Sequence, residues 1–331
     1  MATTVQGLAP GPSDVAPAGP APAPTPRPGA TRAAPPPSAP AAGTRADHLL
    51  LVLMALVWGV NFSVLKVGTR YVDPATFNGA RVLLATAVLG AIAAVRRAPL
   101  PQRADAVRLV LLGVLGHGVY QLLFIEGLAR TASGTTALIL AAGPAFVGVV
   151  GRLLGVERPT ARAWGGIALQ VAGMAGVVLG STAAADARGT IALAGVLLVL
   201  GASLAWSVYA VLLKPLTRRV DGVQMAAWTL VGGALTLGAS AVPALARGAL
   251  AALPAEGWAA MLYSGVLALA LAYLVYYRGV RTVGPVRTAM YSNLQPVVAL
   301  GVGFVVLGER PGGWQIAGAA LIGAGLLASR R

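Results

Sequence analysis

The chain contains no cysteine and very little charge. Of its 331 residues, 11% are Asp, Glu, Lys or Arg, whereas charged residues make up about a quarter of a soluble domain. The absence of cysteine excludes disulfides, thiolate chemistry and cysteine-ligated metal sites. The low charge, together with a hydrophobic fraction of 57% and a mean hydropathy of +0.76, excludes a water-soluble domain and places the chain in a lipid bilayer.

Acidic residues are especially scarce, and the net charge is therefore +15. The arginines come in small groups between apolar runs and do not form one basic surface. This pattern is typical of membrane topology and argues against a nucleic-acid partner.

Groups that would support catalysis or metal binding are also few. The chain has two histidines, no Gly-rich phosphate loop and no His/Asp/Glu cluster at metal-ligand spacing. Glu126 is the only acid expected well inside an apolar run. We therefore predict no metal, no cofactor and no enzymatic activity; a membrane-embedded enzyme is the alternative from another functional class.

From Leu49 onward, the sequence contains ten apolar stretches long enough to cross a hydrocarbon core as helices. We predict an all-α integral membrane protein with ten transmembrane helices. The predicted spans are 49–67, 74–95, 107–128, 134–155, 161–180, 190–213, 222–245, 257–280, 285–307 and 311–329.

The loops and the N-terminal segment indicate the orientation. Residues 1–44 are rich in Pro, Ala and Gly and predict a disordered tail. If this tail is cytoplasmic, most of the arginines fall in cytoplasmic loops, as the positive-inside rule requires. We therefore predict a multi-pass protein of the cell (inner or plasma) membrane with both termini cytoplasmic.

The sequence repeats itself. A shift of 148 places Trp58 on Trp206 and Lys66 on Lys214, and a shift of 152 places Pro144 on Pro296. Spans one to five (49–180) thus recur as spans six to ten (190–329). Because five is odd, the second copy is inverted, which provides the two mirrored gates of alternating access. Lys66 is then expected near the outer face and Lys214 near the inner face.

Three phrases resemble the EamA-type transporters of the drug/metabolite transporter superfamily: "WGVNFSVLK" in span one, "GLARTASGTTALILAAGPAFVGVVGRLLGVERP" and "GVRTVGPVRTAMYSNLQPVVALGVGFVVLGERP". The resemblance covers nearly all of residues 49–329, and Glu126 departs from it. It implies export of a small metabolite, such as an amino acid, nucleobase or drug, through a cavity between the repeats. Protons are a candidate coupling ion, and the oligomeric state is left open.

Polar and aromatic residues inside the spans are the candidate substrate ligands, because such groups are expensive in lipid. They fit a neutral or zwitterionic metabolite; a nucleotide-sugar or phosphorylated-sugar exchanger is the alternative and would need more cavity cations. Tyr276 and Tyr277 fit either the cavity between the repeats or an aromatic belt at the membrane interface. The candidates are Asn61, His117, Tyr120, Gln121, Trp206, Tyr209, Tyr273, Asn293 and Gln295.

Six further residues are candidates for movement or charge pairing. Lys66 and Lys214 are either gates that exchange partners or interfacial anchors, and Pro144 and Pro296 are expected to kink helices. Arg81 either binds a substrate carboxylate or ties helices together, and Glu126 is assigned the same two alternatives. In the ERP phrases, we expect the glutamate to complement the N-terminus of the helix that follows.

The inverted topology makes a direct prediction. Reporter fusions truncated after Arg130 and after Arg219 should report opposite sides of the membrane, because an odd number of spans separates the two points. Paired alkaline phosphatase and fluorescent-protein fusions measure this. Reports from the same side at both points would contradict the inverted repeat.

Overall fold

A computed structural model describes residues 1–3, 43–155, 160–183, 189–283, 288 and 291–330. The tail predicted for residues 1–44 and the first ERP phrase therefore lie almost wholly outside the described residues. Within these ranges all regular secondary structure is helical, with no strand. The prediction of an all-helical fold is confirmed for the described part of the chain.

We number the helices α1 to α10 in chain order, treating segments that follow one another directly as one helix. The bounds are α1 Arg45–Gly68, α2 Pro74–Val95, α3 Arg103–Arg130, α4 Ser133–Leu153, α5 Ala161–Ala183, α6 Gly189–Leu213, α7 Gly222–Ala246, α8 Ala255–Thr282, α9 Gln295–Leu307 and α10 Gly313–Arg330.

Helices α1 to α8 each contain a stretch that is long and apolar enough to cross a membrane. In the described region, α9 is shorter at 13 residues, and α10 has 18. The chain is thus a multi-pass membrane protein with eight helices that meet the length and apolarity of a span in the part that the structure describes, whereas ten were expected from the sequence.

Side-chain caps explain where three of the helices begin. Thr44 accepts a hydrogen bond from the Asp47 backbone and donates one back to the Asp47 carboxylate, so α1 begins four residues before the predicted start. Asp73 caps α2 and Asp221 caps α7. These two aspartates are related by the 148-residue shift, so the repeated Val-Asp pair is a helix-start signal.

Glycines allow α3 and α7 to cross in close contact. A Cβ atom on Gly113 would overlap the carbonyl oxygen of Thr229, and one on Gly232 would overlap that of Val110. Helices α5 and α10 use the same device, since Gly173 faces Gly318. Such small-residue contacts are the usual way for helices to pack tightly where lipid provides no hydrophobic drive.

Two helices are interrupted beside the mid-span prolines. In α4, Ser133–Ala141 ends at Ala142 and Gly143–Leu153 follows with Pro144 in its first turn. Pro296 lies in the first turn of α9, after a turn at residues 293–294. Proline lacks a backbone donor and suits a first helical turn, which explains both breaks.

The α3–α7 crossing predicts a stability difference between two glycines. Gly113→Ala should destabilise the protein by about 1–3 kcal/mol, because the added methyl meets rigid backbone. Gly90→Ala is the matched control, since a methyl group added to Gly90, within α2, would meet nothing inside 4 Å. The melting temperature of the detergent-purified protein measures both; equal values would contradict the close crossing.

Candidate functional site

Aromatic side chains from α1, α3, α6 and α8 meet inside the protein. The His117 ring centroid lies 5.2 Å from that of Tyr273, 5.6 Å from that of Tyr209 and 6.3 Å from that of Trp206. We call this group the aromatic cluster; it comprises Trp58, His117, Tyr120, Trp206, Tyr209, Tyr273, Tyr276 and Tyr277. It draws on both predicted repeats.

Tyrosines of α8 complete the aromatic cluster. The Trp58 ring contacts Tyr273 and Tyr276 at centroid distances of 5.5 and 5.9 Å, and its Nε1 donates to the Ala268 carbonyl at 2.8 Å. The hydroxyls of Tyr209 and Tyr277 lie 3.3 Å apart. Tyr276 and Tyr277 therefore lie in the interior cluster.

A local change of helix type positions His117. Residues Val114–Val119 form a π-helical segment within α3, and His117 lies in it between two glycines. A Cβ on Gly116 would overlap the Tyr209 ring, and one on Gly118 would overlap Thr236. π-Helical segments recur at functional sites. The Gly-His-Gly triplet could have indicated this close packing from the sequence, because glycine permits close approach of neighbouring groups. The helical periodicity did not indicate it.

Arg81 lies beside the aromatic cluster in a buried amide network. Its Nε donates to Asn78 Oδ1 at 2.8 Å, and its Nη2 donates to Gln121 Oε1 at 2.6 Å. Asn78 Nδ2 in turn donates to the Gln121 carbonyl at 2.8 Å. Arg81 is 1% exposed. The structure thus joins the buried Arg81 of α2 to α3.

The positive charge of Arg81 has no acidic partner among the described residues. The guanidinium has five N–H donors, and the hydrogen bonds found in the described part of the chain use one on Nε and one on Nη2. Both acceptors are neutral amides, which satisfy hydrogen bonding without neutralising the charge.

Two buried polar atoms in the same region also lack partners. Within the described ranges, Asn61 Oδ1 and His117 Nδ1 make no hydrogen bond, although the residues are only 9% and 1% exposed. Asn61 lies one turn from Trp58 on α1, so the two side chains share a helix face. An unsatisfied buried polar atom costs about 1–3 kcal/mol, so these two atoms are candidates for hydrogen bonds to another molecule.

Four other candidates lie elsewhere. Asn293 and Pro296 line an apolar cavity of about 280 Å³ between α4, α9 and α10. The Gln295 carbonyl packs beside Gly59 of α1, and Pro144 is exposed on the surface of α4. The aromatic cluster is thus formed by α1, α3, α6 and α8, whereas these four candidates lie on α4, on α9 or in the turn before α9.

Glu126 lies one turn from the end of α3 and pairs with Arg130 on the same helix. This is a local i,i+4 ion pair of the kind that stabilises helices weakly. Across the described ranges, no group of three His, Asp or Glu side chains could hold a metal ion.

Lys66 joins three segments at one end of the protein. Its Nζ donates to the Thr131 carbonyl at 2.6 Å and to Glu309 Oε1 at 2.9 Å. Glu309 Oε2 accepts from the Ser133 backbone at 2.9 Å and from its hydroxyl at 2.6 Å. We call Lys66, Thr131, Ser133 and Glu309 the ionic junction; it connects α1, the α3–α4 turn and the α9–α10 turn.

The expected role of the second ERP glutamate was wrong. Glu309 complements the N-terminus of α4, in the other half of the chain, and not that of α10, which follows it. Burial raises the pKa of this carboxyl, but hydrogen bonds from Lys66 and Ser133 outweigh burial and hold the pKa below its ordinary value. The Glu309 carboxylate is therefore ionised at neutral pH, and its contribution to the junction is lost as the pH falls through this lowered pKa.

Lys214 begins a short 3₁₀ turn, Lys214–Arg218, at the end of α6. Its carbonyl accepts a hydrogen bond from the Thr217 hydroxyl at 2.8 Å. The two lysines thus both lie at helix ends related by the 148-residue shift.

Known proteins with similar sequences are membrane transporters. A "Probable terminal-alkyne amino-acid exporter" of Streptantibioticus cattleyicolor is 28% identical over 85% of this chain and 92% of its own length. A "Probable amino-acid metabolite efflux pump" of Salmonella typhimurium is 29% identical over 86% of this chain and 94% of its own length.

A solved crystal structure shares the fold. It matches this chain with a TM-score of 0.58 and 19% sequence identity, over 87% of this chain and 97% of its own.

The sequence pattern of the EamA-like transporter family matches the chain twice, at residues 46–179 and 193–330. The two matches together cover most of the chain and nearly coincide with the two halves related by the 148- and 152-residue shifts. The expected resemblance is therefore confirmed: the chain belongs to the EamA-like transporter family, within the drug/metabolite transporter superfamily.

Proposed function

We propose that this transporter exports a small neutral or zwitterionic metabolite by alternating access through a cavity lined by the aromatic cluster. The observation that carries the proposal is the meeting of aromatic rings from both halves with the unpartnered polar atoms of Asn61 and His117. The names of the two relatives support an amino-acid-like substrate. We place the protein in the cell membrane, with both termini cytoplasmic and its two halves inverted.

The chemistry of the cluster favours an amphipathic substrate. Indole and phenol rings stack on an apolar or aromatic body, whereas Asn61 and His117 accept hydrogen bonds from its polar head. Arg81 is the one cation that the described structure places beside the cluster. A sugar phosphate carries two negative charges and would need several cations, so we favour an amino-acid-like substrate over a sugar-phosphate or nucleotide-sugar exchanger.

The ionic junction supplies a means of closing one end. It ties α1 and the start of α4, in the first half, to the α9–α10 turn, in the second half. Separation of the halves at this end must break the Lys66–Glu309 pair and the cap on α4. We propose that the junction closes the outer end and that its breakage accompanies opening.

Transport is tested with the purified protein in proteoliposomes. Preloading with unlabelled amino acids should accelerate entry of a radiolabelled mixture of the protein amino acids, because alternating access exchanges substrate across the membrane. Tyr273→Leu should reduce this exchange because it removes a ring from the centre of the cluster, whereas Leu271→Ala, at an exposed α8 position, is the matched control. Exchange no faster than in empty liposomes would contradict the proposal.

The junction predicts a change in accessibility. The chain has no cysteine, so a single Ser63→Cys, one turn below Lys66 on α1, reports entry of reagent without background. Glu309→Gln should increase labelling of this cysteine by a membrane-impermeant maleimide from outside, because the amide removes the ion pair.

Glu256→Gln is the control for this measurement, since Glu256 accepts a hydrogen bond from Tyr71 at 2.7 Å at an exposed site. We expect no increase in labelling from it. Equal labelling rates in the Glu309→Gln and Glu256→Gln backgrounds would show that the junction does not control access.

Lysine itself is predicted to matter at the junction. Lys66→Arg should slow transport while substrate binding is largely kept, because the compact ammonium fits between two oxygens that the larger, planar guanidinium cannot reach in the same way. Vesicle uptake and equilibrium binding, measured together for Lys66→Arg and Lys214→Arg, decide this. Unchanged rates in both variants would identify the lysines as interfacial anchors.

A further inference from the structure

We propose that Arg81 binds the carboxylate of the transported molecule, and that the substrate class is an α-amino acid with a single carboxylate and an apolar or aromatic side chain. The inference rests on the proposed function, because it assigns a role within the same candidate site. It goes further in naming the charged ligand group and the residue that receives it.

The buried charge of Arg81 lacks a counter-charge. Arg81 is 1% exposed, and the described residues provide it with two neutral amide acceptors and no carboxylate. A lone buried charge is strongly unfavourable, and charged groups inside a membrane usually pair with an opposite charge or with backbone carbonyls; the partners of Arg81 in the described part of the chain are two side-chain amides. An anionic group on the substrate supplies the missing charge.

The Arg81 guanidinium is held from one side. Asn78 and Gln121 bond to Arg81 and to each other, so the plane of the guanidinium is fixed. The three remaining N–H donors include both on Nη1. A carboxylate accepts two parallel bonds from such a fork. Asn78 and Gln121 are thus positioning residues that orient Arg81.

The surroundings of Arg81 suit the remaining parts of an amino acid. An ammonium group beside the carboxylate needs acceptors, and Asn61 Oδ1 and His117 Nδ1 are buried atoms to which the described residues supply no donor. Aromatic faces also attract a cation. The rings of the cluster then surround an apolar side chain, and a second carboxylate would find no second cation beside Arg81 among the described residues.

The test measures thermal stabilisation of the purified full-length protein by the twenty protein amino acids and by the carboxamide of each. We expect at least one apolar or aromatic amino acid to raise the melting temperature, and its carboxamide to have little effect. A panel in which no amino acid stabilises the protein, or in which carboxamides stabilise it equally, would overturn the proposal.

Substitutions separate ligand binding from a structural role. Arg81→Gln should increase KM for the stabilising amino acid about tenfold or more, because a charge-assisted pair is lost, and should leave the response to its carboxamide unchanged. Arg81→Lys should recover part of the loss, since it keeps the charge and loses the fork. Arg108→Gln is the control; Arg108 is exposed, beside Asp105.

The outcomes distinguish the two proposals. If Arg81→Gln transports with unchanged KM and kcat, the carboxylate assignment is wrong while the transporter stands. If the variant loses ligand-free stability and its residual transport has unchanged KM, Arg81 is structural and the assignment is also wrong. If the wild type shows no exchange with any amino acid, the proposed function itself fails.

Discussion

Burial of one guanidinium within the helices is the constraint on which this structure depends. A buried charge inside a membrane protein is expensive, so the surrounding helices must satisfy it. Asn78 on the same helix and Gln121 on α3 do so, which fixes α2 against α3. Gly265 allows the backbone of α8 to approach that of Arg81.

Much of the fold follows from the order of apolar and polar residues. The apolar runs predict α1 to α8, and the repeated Val-Asp pair predicts the starts of α2 and α7, because Asp73 and Asp221 cap them. The interruption of α4 at Ala142 agrees with the kink expected at Pro144. The π-helical segment Val114–Val119 could not be predicted from periodicity, because it depends on contacts with other helices, which a one-dimensional pattern does not contain.

The structure brings several of the candidate residues together. His117, Tyr120 and Gln121 were candidates because they are polar or aromatic residues inside a span, and the structure shows them in contact with α8, α6 and α2 respectively through rings and hydrogen bonds. The partner of Lys66 was missed because Glu309 lies 243 residues away and caps a helix of the other half. The contact between Lys66 and Glu309 forms only when the two halves pack together.

The most direct test is an experimental structure of the protein with the most strongly stabilising amino acid bound. We predict that the carboxylate lies within hydrogen-bond distance of the Arg81 guanidinium, with the ammonium near Asn61 or His117 and the side chain between rings of the aromatic cluster. A ligand bound elsewhere, or bound in the cluster with its carboxylate directed away from Arg81, would contradict this prediction.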